Sequence, residues 1–298
     1  MSRPALASPA PSWEELQSRW PNAGASRFVT VGGIAWHLQV AGAGPVLLLV
    51  HGTGSASFSW GAVLPLLARR FTVVVPDLPG HGFTSAPSDV HLTLPGMALA
   101  LAALLRHQDL APAFAAGHSA GAALLLRMAI DRTLAPAGLV GLAPALVPPP
   151  AAYRLLFAPL VHRLATTGFV AAGAAALATR DRLVASLLDS TGSAVDPDRL
   201  WLYQRFFRSE RHVHQVLTMM SVWSLTELVA DLPRVPCPVT LLAGRRDYWV
   251  PVRPLRRLAE RLPRHTFQEV EGGHLFHEDR APLAARLIEE AAARAGLP

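Results

Sequence analysis

Ala113-Phe114-Ala115-Ala116-Gly117-His118-Ser119-Ala120-Gly121 is the stretch whose reading decides the fold. An apolar run leads into Gly-x-Ser-x-Gly, and an alanine- and leucine-rich helical pattern follows, Ala122 to Ile130. Strand, sharp turn, helix is the context in which this motif presents a nucleophilic serine. The backbone doubles back so closely that small residues are needed two before and two after the serine. Gly117 and Gly121 meet that need.

Working outward, the sequence alternates. Val46–Val50, Phe71–Val75, Ala113–Ala116, Leu139–Leu142, Val239–Leu242 and Thr266–Val270 read as apolar strands. Between them Ala62–Arg69, Met97–Leu105, Ala122–Ile130, Leu255–Leu262 and Pro282–Ala293 read as helices. Uniformly apolar strands separated by helices predict a mostly parallel, doubly wound α/β sheet covered on both faces. Before it, Phe28–Val31 and Ile34–Val40 are strand-like and joined by Gly32-Gly33, a hairpin signal. Ser12-Trp13-Glu14-Glu15 has the pattern of a capping box.

The alternation stops between about Val147 and Ser224, where helical periodicity replaces strands. The expected organisation is therefore an N-terminal arm (residues 1–20), a core in two blocks (21–146 and 224–298) and an inserted helical lid (147–223). An insertion after a strand's carboxyl end lies over the edge where ligands bind in open α/β sheets.

Composition bounds the partners. Of 298 residues, 51% are hydrophobic and 16% charged, which favours a large core over a disordered chain. The net charge is +6, and all 27 basic residues are arginine. They are dispersed, with a modest cluster at Arg205, Arg208 and Arg211, so a nucleic-acid surface is not expected. One cysteine, Cys237, lies between two prolines ahead of an apolar strand; it reads as a buried thiol in a reducing, cytoplasmic setting. Met1 to Pro11 contains prolines and lacks the apolar stretch of a secretory leader. The uncharged run Thr133 to Ala152 is broken by five prolines and does not suit a membrane span.

A serine hydroxyl needs a base, and the base needs an orienting acid. Downstream of Ser119, Asp247 follows the strand Val239–Leu242, and His274 follows Thr266–Val270. The order serine, acid, histidine places all three at the carboxyl edge of the sheet. His277 is an alternative base, but its setting in His277-Glu278-Asp279 suggests a surface or capping role. Backbone N–H groups must face the developing oxyanion. Ala120 is the expected first donor. Thr53, in His51-Gly52-Thr53-Gly54 after the strand Val46–Val50, is the expected second, with Gly54 as the alternative. Gly52, Gly54, His118, Phe157, Phe169, Trp223 and Trp249 are expected to line the substrate pocket. His51 and His81 read as structural. His212-x-His214 lacks the carboxylate or cysteine support of a metal site, and the chemistry needs no metal or organic cofactor.

Gly52-x-Gly54-x-x-Ser57 after a strand, with Asp77 ending the next, also resembles a dinucleotide fingerprint lacking its third glycine. That reading leaves the serine turn, Asp247 and His274 unexplained.

Together, His51-Gly52-Thr53-Gly54, Asp77-Leu78-Pro79-Gly80-His81-Gly82, the serine turn, Gly244…Asp247…Val250-Pro251 and Gly273-His274 resemble the α/β-hydrolase superfamily. Serine at the nucleophile position disfavours its aspartate-dependent dehalogenases and epoxide hydrolases. A narrower likeness rests on Trp20-Pro21-Asn22, Ala25-Ser26-Arg27-Phe28-Val29, Trp36-His37-Leu38-Gln39-Val40, Leu94-Pro95-Gly96-Met97-Ala98, Arg127-Met128-Ala129 and Phe207-Arg208-Ser209. These look like the magnesium-chelatase accessory hydrolases of bacteriochlorophyll synthesis. The resemblance implies a hydrophobic substrate such as a tetrapyrrole ester and an association with magnesium chelatase. Two other roles fit the same residues: a non-enzymatic tetrapyrrole carrier or chelatase partner, and a carbon–carbon bond hydrolase. The apolar residues of the insertion would also suit contact with a membrane surface.

Overall fold

The computed structural model describes residues 10–147, 172, 173, 176 and 181–298. Eight strands form one sheet in the order β1-β2-β4-β3-β5-β6-β7-β8. They are β1 (Ser26–Val31), β2 (Ile34–Ala41), β3 (Val46–Val50), β4 (Thr72–Pro76), β5 (Phe114–His118), β6 (Leu139–Leu142), β7 (Val239–Gly244) and β8 (His265–Val270). β1 pairs antiparallel with β2, Val31 opposite Ile34 across the glycine turn, and β2 pairs antiparallel with β4. Every later pairing is parallel.

The helices are α1 (Trp13–Leu16), α2 (Leu64–Leu67), α3 (Leu94–His107), α4 (Ala120–Ile130), α5 (Asp181–Asp189), α6 (Pro197–Phe207), α7 (Glu210–Val222), α8 (Leu225–Asp231), α9 (Val252–Ala259), α10 (Phe276–Asp279) and α11 (Ala281–Arg294). The capping box at Ser12 and Glu15 forms as its spacing predicts.

Strand parity explains why the central strands are apolar throughout. Leu48 and Val50 of β3 join a core with α3, α4, α8 and α9. Leu47 and Leu49 join a second core on the opposite face with α2 and α11. Each fully buried leucine contributes roughly 1.5–3 kcal/mol, so neither face tolerates a polar residue. Cys237 is buried, and burial pushes its thiol up to about 11. Among the described residues no helix is long and apolar enough to cross a membrane.

A third core joins segments far apart in sequence. Leu16 and Trp20 of the arm, Ala56 and Phe58 after β3, Val184, Leu188, Leu202, Tyr203 and Phe206 of the insertion, and Leu275 after β8 pack together. Beside it lies a buried aspartate–histidine pair. His37 Nδ1 is 2.8 Å from Asp77 Oδ2, and Trp13, Trp20, Phe28 and Phe83 surround the imidazole with ring centroids 5.0–5.6 Å away. Asp77 also accepts hydrogen bonds from Ser57 N–H (2.7 Å) and Phe83 N–H (3.0 Å). Burial opposes the charged carboxyl, but His37, His51 and these N–H groups hold it below the usual carboxylate range.

Asp77 thus fastens the segments on either side of the sheet's carboxyl edge. Asp77→Ala leaves two backbone N–H groups and an imidazole without their acceptor. It should cost about 3–5 kcal/mol. Urea unfolding should show a lower midpoint with an unchanged slope; an unchanged midpoint would overturn this role.

Candidate active site

Ser119 sits between β5 and α4 with φ 50° and ψ −115°. A left-handed backbone at a non-glycine residue costs of order 1–3 kcal/mol and persists only where its surroundings enforce it. The surroundings are visible. A Cβ on Gly117 would lie 2.5 Å from Ala122 N, and one on Gly121 would lie 2.4 Å from Val50 O. Ser119 N–H also donates to Leu142 O at 2.9 Å, which ties the turn to β6.

The three sequence-predicted groups come together. His274 Nδ1 is 2.8 Å from Asp247 Oδ2, and His274 Nε2 is 3.1 Å from Ser119 Oγ. A carboxylate only accepts, so Nδ1 carries the hydrogen and Nε2 is left to accept the serine O–H. Asp247 Oδ1 accepts from Trp249 N–H and Val250 N–H, both at 2.8 Å, which fixes the carboxylate plane. Asp247 and His274 are buried at the carboxyl edge of the sheet, and Ser119 is partly exposed there.

The insertion completes the arrangement, and sequence reading missed how. Thr191 O accepts His274 N–H at 2.8 Å, and Ser193 Oγ accepts Leu275 N–H at 2.9 Å. Gly192 between them has φ +73°, and a Cβ there would lie 2.0 Å from Arg246 O. The turn therefore seats against both the acid loop and the histidine loop. The signal was Thr-Gly-Ser itself, a turn sequence, but nothing local says where a turn docks.

The loop Gly52–Ser55 lies against Ser119. A Cβ on Gly52 would be 3.1 Å from Ser119 Cβ and 2.7 Å from His118 Nδ1. Ala120 is the first residue of α4, so its N–H precedes the first intrahelical bond. Gly54 lies under Phe207, 3.0 Å from the position of an added Cβ.

His118 Nε2 is 3.0 Å from His274 O; a carbonyl only accepts, so Nε2–H donates. Burial, then the neighbouring His277 and His274, hold His118 well below the usual imidazole range. Trp249 lies over His274, ring centroids 5.6 Å apart, and donates its indole N–H to Ser190 Oγ. Trp223 donates its indole N–H to Leu92 O at 2.8 Å and packs on the α3–α4 core. Phe157 and Phe169 lie outside the described residues.

The surface role expected for His277 is corrected. Its side chain is fully buried, with Trp60 and His118 rings at 4.7 and 4.2 Å. The polar run His277-Glu278-Asp279 hides this, because the insertion and the loop after β3 cover α10. His51 is structural: its Nε2 accepts Leu78 N–H at 2.9 Å. In the arginine cluster, Arg208 pairs with Asp181, and Arg205 reaches Glu15 at 3.5 Å. Among the described residues no three His, Cys, Asp or Glu side chains are grouped to hold a metal ion.

Comparison with known proteins agrees with this architecture. The model of the alpha/beta hydrolase family matches residues 47–286. The magnesium-chelatase 30 kDa subunit of Rhodobacter capsulatus is 36% identical over 275 residues, 92% of this chain and 96% of its own. The 2-hydroxy-6-oxo-2,4-heptadienoate hydrolase of Pseudomonas putida is 38% identical over 112 residues, 37% of this chain and 41% of its own. The solved structure of an alpha/beta hydrolase fold protein from Burkholderia ambifaria superposes with a TM-score of 0.73 at 24% identity, covering 89% of this chain and 97% of that one. That likeness is one of fold.

Two buried groups beside the site titrate in opposite senses. Burial pushes Glu278 up to about 8, against the Tyr203 hydrogen bond and Arg199 and with the Asp279 and Asp196 charges. Burial, then His274, takes His277 down to about 3. The folded state keeps the Glu278 proton that an unfolded carboxyl releases near 4.5. That contribution is whole below pH 4.5 and is lost as pH rises through 8. An unfolded imidazole takes a proton near 6.5 that folded His277 refuses until about 3. That contribution is whole above 6.5 and is lost as pH falls. Between pH 6.5 and 8 the carboxyl acts alone of the two, and Glu278→Gln should remove a fall of about 2 kcal/mol. Urea unfolding at both pH values checks this; equal falls in variant and wild type would refute it.

Proposed function

The chain belongs to the alpha/beta hydrolase family, and on that footing we propose that it is a serine hydrolase cleaving an ester of a hydrophobic small molecule. The observation that carries the reading is the continuous hydrogen-bond chain Ser119–His274–Asp247 at the mouth of a strained turn. Ser119 Oγ attacks the acyl carbonyl while His274 Nε2 takes the hydroxyl proton. Asp247 holds the imidazole in the required tautomer and stabilises its charge. The N–H groups of Ala120 and Thr53 receive the oxyanion. The carbonyl re-forms, and the departing alcohol leaves with the proton from His274. Water then attacks the acyl-enzyme with His274 again as base, releasing the acid and restoring Ser119. No step calls for a metal or organic cofactor.

The relative of near-complete coverage supports the substrate class we assign. Its name places that protein with magnesium chelatase. By extension we assign this chain a tetrapyrrole ester substrate, in or beside bacteriochlorophyll synthesis in the cytoplasm. The same name favours a second reading, in which the chain is a chelatase partner or tetrapyrrole carrier that retains the triad without using it. The partial likeness to a heptadienoate hydrolase leaves carbon–carbon cleavage by the same groups as a narrower alternative.

Ser119→Ala should abolish covalent labelling by a fluorophosphonate while leaving the circular dichroism spectrum unchanged. Stoichiometric labelling of that variant at another serine would sink the nucleophile assignment. In a strain lacking this protein, Ser119→Ala at matched abundance should fail to restore pigment. Full restoration without accumulating tetrapyrroles would select the partner reading.

A further inference from the structure

The oxyanion loop is held from the insertion by a buried polar chain that the reaction itself does not use. Ser55 Oγ is 3.0 Å from Tyr203 Oη, and Tyr203 O–H donates to Glu278 Oε1 at 2.6 Å. With the tyrosine hydrogen committed to the carboxyl, the serine hydroxyl donates to the tyrosine oxygen. The three groups come from the loop after β3, from α6 and from α10, the short helix that begins two residues after His274. Ser55 is 4% exposed and Tyr203 3%, so water does not substitute for either bond.

Two further contacts act on the same loop. Phe207 packs over Gly54, and His212 of α7 hydrogen-bonds with the Gly54 backbone. Phe58 packs edge-on against Tyr203 at 4.8 Å, which fixes the ring from the loop's other end. The loop has its own Ser55 N–H to Gly52 O contact at 3.3 Å, a long bond for a segment that must hold a donor to within tenths of an ångström.

We propose that Tyr203 is a positioning residue, which through Ser55 and Glu278 fixes the oxyanion loop relative to the base, and so couples the inserted helices to the rate of attack at Ser119. The inference rests on the serine-hydrolase reading. Tyr203 touches neither nucleophile nor base, and it acts by placing the Thr53 N–H. The buried carboxyl suits the role because it stays protonated at neutral pH. Arg199, Asp196 and Asp279 are the charged groups facing it, and burial keeps Tyr203 itself neutral.

The test is the rate of fluorophosphonate labelling at Ser119, resolved into reversible binding and the covalent step. Tyr203→Phe should slow the covalent step about 10- to 100-fold, the scale of a sub-ångström to ångström misplacement, with binding changed less than about 2-fold. Ser55→Ala cuts the same chain from the loop side and should slow the same step. The double variant should be no slower than the worse single one, because one link is removed either way. Thermal unfolding of each variant shows that the fold survives, and Ser55→Ala serves if Tyr203→Phe does not fold. A labelled wild type with undiminished covalent rates in the variants, or with effects that multiply in the double, would overturn the positioning role alone. An unlabelled wild type would remove the nucleophile reading, and the positioning role with it.

Discussion

Everything at the carboxyl edge depends on the backbone of Ser119. Its left-handed conformation turns β5 into α4 within one residue and pushes the hydroxyl out of the sheet. The cost is local, of order 1–3 kcal/mol, and is offset by what the turn makes possible. With it, α4 lies back on β3 and contributes eight buried residues, among them Leu124, Leu125 and Met128, to one core. A relaxed turn would lift α4 off the sheet. The same close approach that requires Gly117 and Gly121 therefore enforces the geometry of the nucleophile. Strain and packing are two sides of one constraint.

Two aspartate–histidine pairs among the described residues have different fates. Asp77 and His37 are sealed, with the carboxylate committed to two loop N–H groups and the imidazole caged by four aromatic rings. Asp247 and His274 have the same Nδ1 contact at 2.8 Å, but the far imidazole nitrogen faces a serine hydroxyl. Residue type and pairing do not separate structure from chemistry here. The group on the far side of the ring does. The other buried histidines around the edge, His51, His81, His118, His212 and His277, are driven toward neutrality by burial.

The sheet was legible because its signals are local. Five residues of continuous aliphatic sequence, a helix pattern and a glycine recur often enough to give strand number and order of elements. Asp247 and His274 were legible because each follows a strand, and a parallel sheet puts all such positions on one edge. Boundaries shifted by a few residues, as at β7, which runs on to Gly244. What was not legible is long-range. His277 looks solvated in His277-Glu278-Asp279, and only the packing of distant segments buries it. The Thr191–Ser193 turn and the Tyr203–Glu278 pair join residues about 75 or more positions apart, and no periodicity encodes such a meeting.

These contacts also change what the insertion is. Sequence position alone suggested a roof laid over the site. In the described part, the turn between α5 and α6 gives a backbone carbonyl to His274 N–H and a hydroxyl to Leu275 N–H, and α6 brings the Tyr203 phenol to Ser55. Swinging α5 and α6 away would strip three buried partners at once, each worth about 1–3 kcal/mol when a polar group is left unpaired in the interior. It would also open the third core around Phe58, Leu202 and Phe206. Residues 181–207 therefore pack as one wall of the sheet's carboxyl edge, tied to it by three buried hydrogen bonds and the third core.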